Sequence, residues 1–213
     1  MRKRFCIALV LLFALTLTAC DSLLPQKQLI GTWTCRTEES REYSLALLEN
    51  FDMYEEELAL VQTPLYTVRY LTFNQDKTYS YATRPETEEA CLREFFQGAF
   101  DDLYENRESI SACYDWDMSA LSKEEFLAFY AALYETEDFD ALMNLWLESA
   151  GTTIGQYETG TYRIILSKIH MNADDGDDSD GYVTYQLEDN ILTLTYGDAV
   201  EIYTKTASFN NEF

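Results

Sequence analysis

Few residues of this chain have the side-chain types that catalysis needs. The single histidine is His170, which lies at the end of an apolar, β-branched segment beside Met171. A histidine base activates a nucleophile only when a hydroxyl or thiol is held next to it, and no nucleophile motif accompanies His170. A zinc site needs clustered ligands, whereas Cys35, Cys91 and Cys113 are widely dispersed. We therefore expect no catalytic residue, no metal and no cofactor, and we interpret the chain as a non-enzymatic protein.

The densest group of metal-ligand side chains is the acidic loop at residues 172–181. Calcium prefers several carboxylate oxygens, and this loop offers five aspartates. An EF-hand register centred on Gly181 puts Gly176 at the first ligand position, and a register centred on Gly176 puts Met171 there. Both registers fail, so a solvated hairpin loop is favoured over a calcium site. The candidate ligands are Asp174, Asp175, Asp177, Asp178 and Asp180.

The N-terminus carries a third chemical feature. Basic residues 2–4 precede an uncharged apolar run over residues 5–17, as in a secretory leader. The run is shorter than the roughly 20 residues that a membrane-spanning helix needs. Residues 17–20, Leu-Thr-Ala-Cys, resemble a bacterial lipobox. The resemblance implies a signal peptide over residues 1–19 and a lipid on Cys20, and an ordinary signal peptide is the alternative.

A lipid on Cys20 would hold the mature chain at the extracytoplasmic face of the cell membrane. Two acyl chains anchor a protein far more durably than one. Residues 20–28 form a polar tether that reaches at most about 30 Å when fully extended. The membrane is therefore an expected partner, and the folded part should lie close to it.

Export would also expose the remaining cysteines to an oxidising compartment, where disulfides persist. Cys91 and Cys113 flank one predicted helix and are the candidate disulfide pair. Spacing alone does not fix connectivity. The alternative is that these thiols, together with Cys35, are small buried apolar groups.

The charge of the mature chain limits its partners. Without the three leader cations it has 12 basic and 38 acidic residues, a balance of −26. Such a charge repels phosphate backbones, which excludes nucleic acid as a partner, and it gives a solvated acidic surface. An apolar fraction of 47%, with 15% aromatic residues, is sufficient for a packed core.

Alternating apolar residues predict strands near both ends of the mature chain. Short connections between the later strands predict an antiparallel meander. The predicted strands are residues 29–35, 66–73, 78–83, 161–170, 182–187, 191–195 and 200–205.

Helical periodicity separates these strands. Apolar residues recur at helical spacing over residues 43–61, and a helical block covers about 85–151. The block has about three helices. The first has an apolar stripe from Cys91 to Tyr104, the second begins at Ser122 with Glu125 completing a capping box, and the third covers about 138–151.

Gly31-Thr-Trp33, on the first strand of a meander, resembles the Gly-x-Trp signature of the lipocalin (calycin) group. Residues 71–79 and the closing hairpins at 185–205 extend the resemblance to about a third of the mature chain. In that group the tryptophan packs at the closed end of the barrel beneath a basic side chain of the last strand. Lys205 matches that position, which implies a cation–π contact. The resemblance implies an α+β fold, a lipocalin-like antiparallel β-barrel or half-barrel meander with an inserted block of about three helices.

We expect one lipocalin-like domain over residues 29–206, with the insertion at about 85–151 and a tail at 207–213. The resemblance favours binding of a small apolar ligand in a hollow barrel, or of a protein partner. The alternative is an envelope-associated structural or interaction protein with a filled barrel and no ligand, in which the helical block is the working surface. A carboxylate-dependent hydrolase is a distant third.

Overall fold

The structure, a computed structural model, describes residues 25–114, 116–150, 157–174 and 182–206. Several sequence predictions fall on the remaining residues. The signal peptide, Cys20 with most of the tether, the loop aspartates after Asp174, and the C-terminal tail all lie outside the described residues.

Within the described residues, eight antiparallel strands form a closed barrel in which each strand pairs with its neighbours in sequence. The last strand pairs with the first and closes the barrel. This is the mixed α+β architecture that the sequence predicts, and the barrel is complete rather than half-formed. The strands are β1 Gly31–Glu38, β2 Tyr66–Phe73, β3 Thr78–Thr83, β4 Tyr157–Ile165, β5 Lys168–Ala173, β6 Tyr182–Glu188, β7 Ile191–Tyr196 and β8 Ala199–Lys205.

Helices precede β1 and occupy the β1–β2 and β3–β4 connections. None of those in the described ranges is both long and apolar enough to cross a bilayer. They are α1 Pro25–Leu29, α2 Arg41–Glu49, α3 Glu55–Leu60, α4 Pro85–Glu105, α5 Arg107–Ile110, α6 Lys123–Leu133 and α7 Phe139–Ala150, with a 3₁₀ turn at Ser111–Tyr114.

The prediction of one strand over residues 161–170 is wrong, because the chain turns at Leu166. Leu166 has φ +56° and is 91% exposed. A left-handed backbone is rare for leucine, and the surrounding sequence has no glycine, proline or asparagine to indicate a turn. The turn separates β4 from β5 and places Arg163 opposite His170 across the pair.

The helical block has more helices than predicted, whereas the predicted start of its second helix at Ser122 is correct. The Ser122 hydroxyl accepts from the Glu125 N–H at 3.3 Å, and the Glu125 carboxylate accepts from the Ser122 N–H at 2.8 Å. This is the predicted capping box of α6. The short helix α5 and the 3₁₀ turn were not predicted, because elements of about four residues are too short to show a period.

The helical segment of the β1–β2 connection is two helices rather than one. Asp52, between α2 and α3, adopts φ +55°, which ends the helical path. The Phe51 N–H then bonds the Leu48 carbonyl at 3.0 Å. A short acidic helix, α3, follows the break and carries a buried residue of its own, Glu57.

The chain divides into two compact units, each with its own core. The barrel unit comprises the described parts of Met1–Cys35, Tyr70–Ala82 and Tyr157–Phe213, and the helical unit those of Arg36–Arg69 and Thr83–Gln156. The helical unit therefore takes in the β1–β2 connection in addition to the insertion predicted at about 85–151. Its core is centred on α4, α6 and α7 and includes Trp146. The core of the barrel unit includes Trp33.

Candidate functional site

The structure brings together the three residues of the sequence signature, Gly31, Trp33 and Lys205. Trp33 and Lys205 are paired in register across β1 and β8, and the Lys205 ammonium lies 4.9 Å from the centre of the Trp33 ring. The same ammonium donates to the Gln28 carbonyl at 2.8 Å. Trp33 Nε1 donates to the Leu29 carbonyl at 2.7 Å. The cation–π contact implied by the sequence is thus present, held by two further bonds to backbone carbonyls.

Gly31 is required in this cluster for two physical reasons. Its φ of +127° is a backbone conformation that residues with a side chain rarely adopt. A Cβ at this position would also lie 3.1 Å from Lys205 Cε. A larger residue would therefore strain the backbone and require the lysine side chain to shift by a few tenths of an ångström.

Bulky side chains occupy the interior of the barrel. Along β7, for example, Leu192 and Leu194 are fully buried and alternate with threonines that face outward. Phe73 and Tyr162 meet edge to face inside the barrel, with ring centres 4.8 Å apart. The buried interior residues are Trp33, Cys35, Leu71, Phe73, Tyr79, Tyr162, Ile169, Val183, Tyr185, Leu192, Leu194 and Tyr203, with Leu29 packed on them.

The buried tyrosines of the barrel direct their hydroxyls to its two ends. Tyr162 donates to the Asn74 carbonyl at 3.1 Å, in the β2–β3 turn, which lies at the same end as the β4–β5 turn. Tyr203 donates to the Glu201 carboxylate at 2.8 Å, near the opposite end. Burial and then the neighbouring Glu201 raise the pKa of Tyr203, so its hydroxyl remains a donor. Both hydroxyls are thus paired with polar groups near the ends of the barrel.

The outer face of β4 and β5 carries a polar pocket, which we call the β4–β5 pocket. It has a volume of about 420 Å³ and is lined by Thr161, Tyr162, Arg163, His170 and Asn172. Ile169 belongs to the barrel core, so its neighbour His170 faces outward, where it is nevertheless only 7% exposed. The pocket therefore combines an arginine, a buried histidine and two uncharged donors in one concave surface.

Tyr182 on β6 adjoins the β4–β5 pocket. Its ring lies over His170, with ring centres 4.7 Å apart, and Arg163 Nη2 donates to its hydroxyl at 3.3 Å. The Lys168 ammonium lies 5.9 Å from the centre of the Tyr182 ring. The Tyr182 side chain is thus close to Arg163 at its hydroxyl and to Lys168 and His170 at its ring. Sequence reasoning found His170 alone, because the missed turn hides its pairing with Arg163.

A buried carboxylate lies in the core of the helical unit. Glu57 is fully buried and accepts from the Tyr114 hydroxyl at 2.8 Å, from the Tyr130 hydroxyl, and from the Tyr54 N–H at 2.8 Å. Burial, followed by the charge of Glu57, raises the pKa of Tyr114 and of Tyr130, and it raises the pKa of Tyr134 to about 12. Three donors on one carboxylate are a structural arrangement that joins α3 to α6.

The predicted disulfide between Cys91 and Cys113 is absent, because both are free thiols in the structure. Burial raises the pKa of both thiols.

The acidic loop is described only at Asp174. The carboxylate of Asp174 accepts from the Thr159 hydroxyl at 2.8 Å, and its N–H donates to the Thr159 carbonyl at 2.8 Å. Over the described part of the chain, no group of three or more His, Cys, Asp or Glu side chains is placed to hold a metal ion. The calcium hypothesis for the other four aspartates lies outside the described residues.

No family model, no curated protein and no solved structure matches the chain.

Proposed function

We propose that this protein is a lipid-anchored, extracytoplasmic binding protein that works through its outer surface, and that its barrel is a filled scaffold. The observation that supports this proposal is the burial of large rings, such as those of Phe73, Tyr162 and Tyr203, in the interior of the barrel. A polar concave site lies instead on the outside, in the β4–β5 pocket. The protein is proposed to bind rather than to catalyse.

The anchoring part of the proposal is supported by sequence. A basic start, a short apolar run and the Leu-Thr-Ala-Cys ending at Cys20 are typical of a bacterial lipoprotein leader. The first described helix begins at Pro25, so a lipid on Cys20 would hold the barrel unit close to a bilayer.

The lipocalin resemblance is also part of the proposal. A closed eight-stranded antiparallel barrel and the Trp33–Lys205 contact support kinship with that group. A small apolar ligand inside the barrel is the competing function. The buried rings of the barrel disfavour an apolar ligand in the interior, because such a ligand would have to displace these side chains.

The anchor is tested by metabolic labelling with an alkyne fatty acid in a bacterial host. We expect label on the wild-type chain and none on Cys20→Ser, which should also leave the membrane fraction. The matched control is Cys6→Ser, because Cys6 lies in the leader that processing removes. Equal labelling of Cys20→Ser and wild type would contradict the anchor.

Native mass spectrometry tests the filled barrel. The chain from Asp21 onward is incubated with a total lipid extract of a bacterial envelope and then desalted. We expect the mass of the bare chain. A stoichiometric apolar adduct that persists in Arg163→Gln, and that is therefore not held at the outer pocket, would favour the hollow-barrel function instead.

A further inference from the structure

The arginine of the β4–β5 pocket has no carboxylate partner among the described residues, although the chain is strongly acidic. The protein has 38 acidic and 15 basic residues. Some of its other cations form ion pairs, at 3.0 Å between Arg36 and Glu94 and at 2.7 Å between Lys123 and Asp101. Arg163, by contrast, bonds the neutral hydroxyl of Tyr182.

Among the described residues, the other charged groups on this face leave Arg163 available. Lys168 lies on the same outward face of β5 as His170, and its ammonium faces the Tyr182 ring. Asp174 also lies on that face, but four residues from His170, which is about 13 Å along a strand. Its carboxylate is engaged by the Thr159 hydroxyl. The described part of the pocket is thus a locally cationic site with uncharged donors beside it.

We propose that the β4–β5 pocket binds a small oxyanion, a carboxylate or a phosphate, through the Arg163 guanidinium. The planar guanidinium presents paired N–H donors that match two oxygens of such an anion. Thr161 and Asn172, paired in register on the same face, supply a hydroxyl and an amide donor. A volume of about 420 Å³ accommodates a small organic acid or a phosphorylated metabolite rather than a macromolecule.

The arrangement also gives the site its selectivity for charge. A net charge of −23 repels anions over most of the surface, so a bound anion needs a site where the local field is reversed. His170, buried between β4 and Tyr182, fixes one wall of that site, and its ring lies over the Tyr182 ring to which Arg163 also bonds. The guanidinium is thus tied to the Tyr182 hydroxyl by one hydrogen bond, at 3.3 Å, and is otherwise open to solvent.

Because His170 is the single histidine of the chain, its ring signals in a ¹H–¹³C NMR spectrum report on the pocket without assignment ambiguity. The experiment titrates inorganic phosphate, and separately sodium acetate, at pH 7.5 with sodium chloride holding the ionic strength constant. We expect a saturable shift of the His170 ring signals with at least one of the two anions. Saturation with both indicates general oxyanion binding, and saturation with phosphate alone indicates a phosphoryl ligand.

Two substitutions at Arg163 and one control sharpen the test. Arg163→Gln should weaken binding about tenfold or more, as expected when charge-assisted hydrogen bonds are lost. Arg163→Lys, which keeps the charge but not the paired donors, should also weaken it. Arg93→Gln removes the same charge from α4 and should leave binding unchanged.

The proposal is overturned by a shift that stays linear with both anions at constant ionic strength, or by saturable binding that Arg163→Gln leaves intact. Wild-type affinity in Arg163→Lys would show that diffuse charge, rather than the guanidinium, holds the anion, and would also overturn it. The result is independent of the filled barrel, because an apolar ligand in the interior would be insensitive to phosphate and to Arg163.

Discussion

The barrel core and the helical core each contain a fully buried tryptophan, but the polar atoms around the two rings are arranged differently. In the barrel, Trp33 Nε1 donates to the Leu29 carbonyl at 2.7 Å, and Lys205 covers the ring face. In the helical core, Trp146 is stacked on Phe51 with ring centres 4.3 Å apart. Its Nε1 has no hydrogen-bond partner within the described residues. One tryptophan is fixed by polar bonds, and the other by ring packing.

The two units also differ in where they hold a carboxylate. The barrel keeps Glu201 near one end, where the Tyr203 hydroxyl reaches it. The helical core instead encloses Glu57 completely and surrounds it with donors. In a closed sheet the backbone groups form hydrogen bonds between strands, and polar side-chain atoms can lie at the two ends of the barrel. Short helices packed together do not share such an end. A buried carboxylate can then join them, at the cost of desolvation.

The largest effect that this comparison predicts is the loss of Glu57. Glu57→Ala leaves the Tyr114 and Tyr130 hydroxyls without their acceptor, and it should lower the free energy of unfolding by about 3–5 kcal/mol. Urea unfolding followed by tryptophan fluorescence measures it. Glu56→Ala, on the exposed side of the same helix, should change stability by less than about 0.5 kcal/mol. Equal changes in the free energy of unfolding for the two substitutions would contradict the structural role of Glu57.

A smaller effect distinguishes the two tryptophans. Trp33→Phe loses the bond to Leu29 and weakens the contact with Lys205, for a cost of about 1–3 kcal/mol. Trp146→Phe removes a donor that has no described partner, so the loss of ring volume is the main cost, about 1 kcal/mol or less. Thermal unfolding of both variants gives the order. If Trp146→Phe is the more destabilising, the contrast between the cores is wrong.

Sequence patterns predicted the helices and strands that are determined by residues close together in the sequence. Leu192 and Leu194 alternate with threonines, and Ser122 with Glu125 forms a capping box, so β7 and α6 are readable from a few adjacent residues. The contact of Trp33 with Lys205 came from the lipocalin resemblance rather than from spacing, because the two residues are distant in sequence.

The missed features depend on tertiary contacts or strained backbone. The turn at Leu166 has only Ser167 beside it as a turn-favouring residue, so β4 and β5 read as one strand, and the pairing of Arg163 with His170 was not predicted. Glu57 follows Glu55 and Glu56 in an acidic run that resembles a solvated surface. Tyr54, three residues earlier, is not a residue type that indicates a helix N-cap, so no local signal distinguishes Glu57 from its neighbours.

Crystals pressurised with xenon test the central claim that the barrel is filled. Apolar cavities of ligand size bind xenon, and Phe73→Ala should create one in the barrel core by removing a buried ring. We predict no xenon inside the wild-type barrel and an ordered xenon atom at the vacated ring position in Phe73→Ala. An ordered xenon atom among Phe73, Tyr162 and Tyr203 in the wild-type protein would contradict the account and indicate a hollow, ligand-binding barrel.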